Sequence, residues 1–252
     1  MLLFPKGFNS EGFQRVIEND SLWRGYLNTI FYTVLGTCIN LALTMTGAFV
    51  LSRRTFALRT PLNWMVLFTM FFGGGMIPTY LLVKDLKLLN TVWSLVLPGA
   101  ISTWNLIITR TFLATSIPNE LQEAAYIDGC NNIRFFLRIV LPNATTIIAV
   151  IGLFYAVDHW LSYWNAMLYI TDETRYPLQL VLRDILLKAE VALQSAQSGE
   201  NMESATAVVD LLRISESVKY IVVIAGTLPL LIVFPFVEKY FVKGVMIGSV
   251  KG

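Results

Sequence analysis

The chain has little of what most enzymes and metal proteins depend on. One histidine and two cysteines occur in 252 residues. Cys38 lies in an apolar run and Cys130 in a polar island, so neither a disulfide nor a metal pair is expected, and both read as small packing or loop residues. Charge is also scarce, at 14% of residues with a net of +2, and nothing points to nucleic acid as a partner. No Gly-Lys pair occurs anywhere. A Walker phosphate loop is therefore excluded, and the triplet Gly73-Gly74-Gly75 is not one. The opening Met1-Leu2-Leu3-Phe4-Pro5-Lys6 has neither the charged start nor the apolar run of a signal peptide.

What is abundant is apolar surface. Hydrophobic residues make up 55% of the chain, and they gather into runs long enough to cross a bilayer, which takes about 20 apolar helical residues. Five segments qualify: Gly25 to Leu51, Leu62 to Val83, Thr91 to Ile108, Ala144 to Ile170 and Tyr220 to Val237. Lipid offers the backbone no hydrogen-bond partners, so spanning segments are helices or closed barrels, and period-two alternation is absent here. The fold class is all-α, a polytopic transmembrane helical bundle of about five spans, with residues 1–252 forming one membrane-spanning domain.

Between the third and fourth apolar runs lies a polar island, Glu123-Ala124-Ala125-Tyr126-Ile127-Asp128-Gly129, with nine residues separating the glycine from Ile139-Val140-Leu141-Pro142. Pro118 suits the first turn of a helix, with Ser116 near enough to cap it, and Glu120 and Glu123 favour its amino end. Gly129 suits a left-handed terminus. The spacing predicts about eleven residues of helix, then a second short helix from Asn131 or Asn132 to Ile139 with Phe135, Phe136 and Ile139 turned inward. Leu141-Pro142 is expected to break it. The small alanines allow another surface to come close.

This pattern resembles the EAA loop of permease subunits in ABC importers: EAA, two residues, DG, nine residues, then I-x-L-P. The resemblance covers essentially the whole chain. Arg175-Tyr176-Pro177-Leu178-Gln179 and the ending from Lys243 to Gly252 are similar to maltose-type permeases, and most of all to the oligosaccharide branch that includes alginate and pectin-fragment importers. Two family positions differ, Thr146 for a proline and Cys130 for an alanine. The resemblance implies the ABC importer permease fold and a subunit that is not an enzyme. It further implies no cofactor in this chain, ATP and Mg in partner subunits, and coupling through Glu123, Ala124, Ala125, Asp128, Gly129, Ile139, Leu141 and Pro142. The implied partners are a homologous second permease, two ATPase subunits, an extracytoplasmic solute-binding protein, an oligosaccharide substrate and membrane lipid. Family members usually carry six spans, with an extra helix before the region matching Phe4 to Asp20. That points to a truncated chain or a misassigned start.

Orientation follows from the same resemblance: a bacterial plasma (inner) membrane, amino end outside and carboxyl end cytoplasmic. Residues 1–24 then form an external segment, 117–142 the cytoplasmic loop, 171–219 an external loop and 238–252 a cytoplasmic tail. Lysine and arginine do not decide it, since nine of nineteen fall inside. Arg53-Arg54 with Arg59 are the best local sign for an inside turn. Within the external loop, Leu178 to Leu193 has helical apolar spacing and Gln194 to Ser204 reads as a polar turn. The loop suits either a binding-protein contact or a cap on the bundle.

The spans carry polar stripes. Tyr155, Asp158, Ser162, Asn165 and Tyr169 recur at three- and four-residue steps, as do Thr33, Thr37, Asn40, Thr44 and Gly47, and Ser94, Ser102, Asn105 and Thr109 come close to it. An ionisable group at bilayer depth costs about 2.5–3.5 kcal/mol and faces a cavity or a partner. Asp158, with Tyr155, Trp160, Ser162, Tyr163, Trp164 and Asn165, is thus a candidate sugar-facing set; helix packing is the competing reading, and for His159 alone packing is preferred. Two other function classes stay open: an ion-coupled secondary transporter using Asp158, and a membrane enzyme using Asp158 and His159. Adjacent helical residues point about 100° apart, which counts against the latter pair. Gly73-Gly74-Gly75 before Pro78 and Pro98-Gly99 interrupt two spans, as hinges, as unwound backbone lining a cavity or, preferred for the glycines, as close-packing points.

Overall fold

The structure, a computed structural model, describes residues 20–197, 220, 223–232 and 235. Its described elements are helical, with no strand among them. The first, α1 (Asp20–Ser52), is a single helix of 33 residues. It has no internal proline, and at about 1.5 Å per residue it is about 50 Å long, more than a bilayer core requires. It is the only described helix long and apolar enough to cross a membrane unaided.

The later spans are broken, and the first two breaks fall where the sequence places glycine and proline. Helices α2 (Arg59–Phe71) and α3 (Met76–Asp85) meet at a bend of 114°. Nothing lies within 4 Å of a Cβ placed on Gly73 or Gly75, and Gly75 has φ +86. The triplet is therefore a conformational break, not the close-packing point preferred from sequence; only glycine takes that left-handed φ without strain. The expected third span is likewise discontinuous. A short α4 (Trp93–Val96) is separated by Pro98-Gly99 from α5 (Thr103–Ser116), whose amino end is capped by Ser102 accepting from the Asn105 N–H.

Next come α6 (Asn119–Ile127) and α7 (Asn132–Phe135), a π turn at Phe136–Val140, and α8 (Leu141–Asn143). The 132–143 run meets α9 (Thr145–Leu161) at 81°. The break falls at buried Ala144 and not at Leu141-Pro142, because Pro142 occupies a first-turn position where no N–H is needed. Helix α10 (Trp164–Tyr169) and a 3-10 turn at Glu173–Arg175 lead to α11 (Leu178–Gln197). The expected turn from Gln194 is helical as far as Gln197. Its remainder lies outside the described residues, as do the first nineteen residues and the 238–252 tail. Of the fifth expected span, α12 (Val223–Ile232) is described. Counting each bent pair as one span gives three candidate crossings among the described residues.

The described residues divide into two compact units, with α1 and α9 each contributing to both. The smaller holds 20–31, 160–197 and 223–232. Its core is Leu22, Trp160, Leu178 and Leu182, flanked by Tyr26, Ile185, Leu186, Ala225 and Leu230. Polar ties close it: Trp160 Nε1 donates to the Gly226 carbonyl (2.9 Å), Tyr26 Oη to the Ala225 carbonyl (2.5 Å), and the Leu178 N–H to Thr29 Oγ1 (2.7 Å). The larger unit, 32–159, is built on Met45, Phe49, Leu113, Phe135, Val140 and Ile151 among others.

Candidate functional site

The polar island folds into an elbow within the larger unit. Helix α6 is nine residues long, not eleven, because Pro118 stands just outside it with extended backbone. Ser116 does not cap it; that residue ends α5. The carboxyl end closes with a double bond: the Gly129 N–H reaches the Tyr126 carbonyl (3.0 Å) and the Cys130 N–H the Ala125 carbonyl (2.9 Å). This Schellman closure needs a left-handed residue, and Gly129 has φ +76. Asn131 then caps α7 by accepting from the Arg134 N–H at 2.8 Å.

Three side chains set the angle of the elbow. Gln122 Nε2 donates to Tyr126 Oη at 2.6 Å, and that hydroxyl donates to Asn132 Oδ1, so one buried amide and one tyrosine tie α6 to α7. The sequence alone does not foresee this tie. The i, i+4 spacing of Gln122 and Tyr126 was the available signal.

Burial sorts the elbow into two faces. Ala125, Phe135 and Val140 are buried in the unit core, with Phe136 and Ile139 packed against it. Phe49 contacts both phenylalanines, with ring centroids 6.1 and 5.1 Å apart. The other face is open. Ile127 is 88% exposed, Ile133 70% and Leu137 55%, alongside exposed Glu123, Ala124, Asp128 and Gly129. Leu141 is half-buried and Pro142 exposed. Large apolar side chains left in the open at the tip of a polar loop mark a contact surface.

Arg53 braces this elbow from behind. Its side chain is 4% exposed, yet no carboxylate among the described residues pairs with it. Its guanidinium instead donates to the Leu113 carbonyl (3.1 Å), the Ile117 carbonyl (3.3 Å) and Ser52 Oγ (3.0 Å), 5.4 Å above the Phe49 ring. Those carbonyls are at the carboxyl end of α5, where a cation is favoured. Burial lowers the Arg53 pKa, and Tyr126 of the elbow acts in the opposite direction. An arginine stays charged through a shift of this kind. The end of α1 and the end of α5, where the elbow begins, thus share one cation.

The polar stripes meet only in part. In the larger unit Thr44 Oγ1 and Tyr155 Oη are 2.7 Å apart, and Tyr155 Oη also accepts from the Ser102 N–H at 3.1 Å. Tyr155 is therefore sealed between helices. Asn40 Nδ2 donates to His159 Nε2 at 3.1 Å. That ring fits only because residue 36 is glycine: a Cβ there would come within 2.3 Å of Nε2. Gly25, Gly36 and Gly47 recur every eleven residues along α1, a period close to three helical turns, and each sits against a side chain or backbone of its own unit. Asp158 is exposed. Thr33 Oγ1, Thr37 Oγ1 and Asn40 Oδ1 are buried with no hydrogen-bond partner among the described residues. In the smaller unit Trp160 is buried against Gly226, Tyr163 and Trp164 are exposed in an edge-on pair, and Ser162 and Asn165 are half-buried. No cluster of metal-ligating side chains occurs among the described residues.

No family model matches the chain. Individual proteins do. The polygalacturonan/rhamnogalacturonan transport system permease protein YtcP of Bacillus subtilis (strain 168) is 40% identical over 251 residues, covering all of this chain and 85% of that protein. Protein LplC of the same organism is 42% identical, covering 99% of this chain and 81% of its own length. Among solved structures, a bacterial ABC transporter involved in import of the acidic polysaccharide alginate contains a chain with TM-score 0.80 and 29% identity, covering 95% of this chain and 82% of that one.

Proposed function

The chain belongs to the permease subunits of ABC oligosaccharide importers, multi-pass membrane proteins that are not themselves enzymes, and from this premise we propose that its elbow receives the motion of partner ATPases and passes it to a sugar path. The observation that carries the proposal is the open face of α6 and α7. Glu123, Ala124, Ile127, Asp128, Ile133 and Leu137 are held by a buried frame and left unused by the fold. A docking surface needs that combination of a rigid back and an unsatisfied front.

In this reading two ATPase subunits bind ATP and Mg, a second homologous permease completes the pathway, and a binding protein delivers an oligosaccharide from outside. The amino end faces out and the elbow faces the cytoplasm. Exposed Asp158 in one unit, and Tyr163 and Trp164 in the other, are the candidates for meeting sugar, with Ser162 and Asn165 beside the latter pair. Tyr155 and Trp160 are locked into packing and serve the path by positioning its helices. The energy input acts on the difference between outward and inward states; the elbow has to be stiff for a push at α6 to arrive at α5 and α9.

The test uses the complete importer reconstituted in vesicles. Ile127→Asp with Ile133→Asp is expected to abolish ATP-driven uptake and co-purification of the ATPase subunits while the permease pair stays assembled. Galacturonan and alginate fragments are the first substrates to offer, because the similar proteins are named for them. Uptake that survived the double change with normal assembly, and was lost with its ion dependence in Asp158→Asn, would sink the ABC reading in favour of ion coupling.

A further inference from the structure

A second site, unrelated to the elbow, lies between the first turns of α2 and the middle of α5. These helices run antiparallel, with Arg59 level with Arg110 and the Thr69 hydroxyl 3.5 Å from that of Thr103. Between them is a cleft of about 280 Å³ lined by Arg59, Thr60, Asn63, Trp64, Leu67 and Arg110.

The two guanidinium groups line this one cleft. Like charges brought together at a cleft are costly unless an anion joins them, and no described carboxylate does so. The ion pairs among the described residues are Asp172 with Arg175 and Asp184 with Lys188. Arg110 Nε makes one long bond, to the Leu51 carbonyl at 3.4 Å, and the Asn63 amide is turned to the Arg59 carbonyl at 2.7 Å. Most of the arginine donors remain free for a ligand with several oxygens, and the planar guanidinium fork suits phosphate.

The rest of the cleft has the opposite character. Trp64 is 69% exposed, Leu67 is exposed beside it, and α2 buries no residue at all. Its open side continues along Phe68, Phe71 and Phe72. A protein carboxylate or a free phosphate would satisfy the arginines and leave this face unused. Tryptophan beside arginine at the end of an apolar helix is the arrangement found at the boundary between headgroups and acyl chains.

We propose that this cleft seats the phosphodiester headgroup of an anionic membrane phospholipid, with Arg59 and Arg110 on the phosphate oxygens and the acyl chains lying along Leu67 and the open face of α2. The lipid would bridge the hinged second span to α5, whose far end carries the elbow.

The assembled importer, stripped of lipid in detergent, is titrated with phosphatidylglycerol or phosphatidylcholine and followed by native mass spectrometry. Phosphatidylglycerol is expected to bind at one preferred position per copy. Arg59→Gln with Arg110→Gln should weaken that binding about thirtyfold, about fivefold for each charge near the membrane surface. Arg54→Gln removes a neighbouring exposed charge outside the cleft and should leave the affinity unchanged, as should millimolar inorganic phosphate. If the glutamine pair fails to fold, Arg59→Lys with Arg110→Lys keeps the charges without the fork and should give an intermediate loss. Equal binding by the wild type and the substituted pair overturns the proposal. So does displacement by inorganic phosphate, which would make it a free-anion site, and so does loss of the ATPase subunits with unchanged lipid binding, which would make it a protein contact.

Discussion

Removing the Arg53 guanidinium while keeping its bulk, as in Arg53→Met, tests whether the elbow is held from behind. The Ile117 carbonyl, in a residue 2% exposed, loses the arginine donor at 3.3 Å; a buried carbonyl left unpaired costs about 1–3 kcal/mol. The Leu113 carbonyl loses its 3.1 Å donor but keeps the Ile117 N–H at 3.2 Å, so it adds less. The methionine also escapes the desolvation that the cation endures, which cancels part of the lost charge-assisted bonding. The net is about 2–3 kcal/mol, concentrated where α5 meets α6. Hydrogen exchange on the assembled importer reads this locally: opening at 117–127 should become about 30- to 150-fold more frequent, with the core of α1 little changed. Arg53→Lys offers a compact cation that cannot fork between two carbonyls and should fall between. The reasoning fails if exchange at 117–127 is unchanged in Arg53→Met, or if the lysine variant is no better protected than the methionine one.

Three further outcomes follow from the geometry. Gly129→Ala meets nothing within 4 Å, so its cost is purely conformational, about 1–2 kcal/mol for an L-residue at φ +76; thermal unfolding together with uptake should both fall, and an unchanged melt would show that the turn relaxes freely. Gly36→Ala should destabilise by about 1–3 kcal/mol through overlap with His159, and adding His159→Ala should recover much of it, a coupling that a double-mutant cycle measures. Asp172 accepts from the Thr174 hydroxyl (2.6 Å) and N–H (3.0 Å), which holds its carboxyl below the usual carboxylate range. A depressed folded pKa means the tie is intact above the unfolded value of about 3.9 and is lost as pH falls through the lower folded value; a carboxyl NMR titration with a midpoint at or above about 4 would contradict it.

The elbow was legible because its parts are local. Glycine at a left-handed position and acidic residues at a helix start act within a few residues of themselves, so Gly129 and the paired helices follow from the pattern. Its length was overestimated because Pro118, able to begin a helix, instead holds extended backbone after α5. The polar stripes were legible as stripes but not as surfaces. Period fixes which residues share a face, while the identity of the facing helix decides whether that face is a path or a seam.

The chain itself settled the helical membrane class, that Gly73–Gly75 and Pro98-Gly99 interrupt two apolar runs, and the kinship carried by Glu123 to Pro142, since apolar length and motif spacing are properties of contiguous residues; that the glycine triplet is an open bend and not a packing point was decided by the fold. Only tertiary structure decided that Thr44 satisfies Tyr155, that Gly36 makes room for His159, that Arg53 reaches carbonyls 60 and 64 residues away, and that Arg59 and Arg110 share a cleft. Each of these joins groups from helices distant in sequence, and burial, which sets the value of a hydrogen bond or a charge, exists only once those helices have packed.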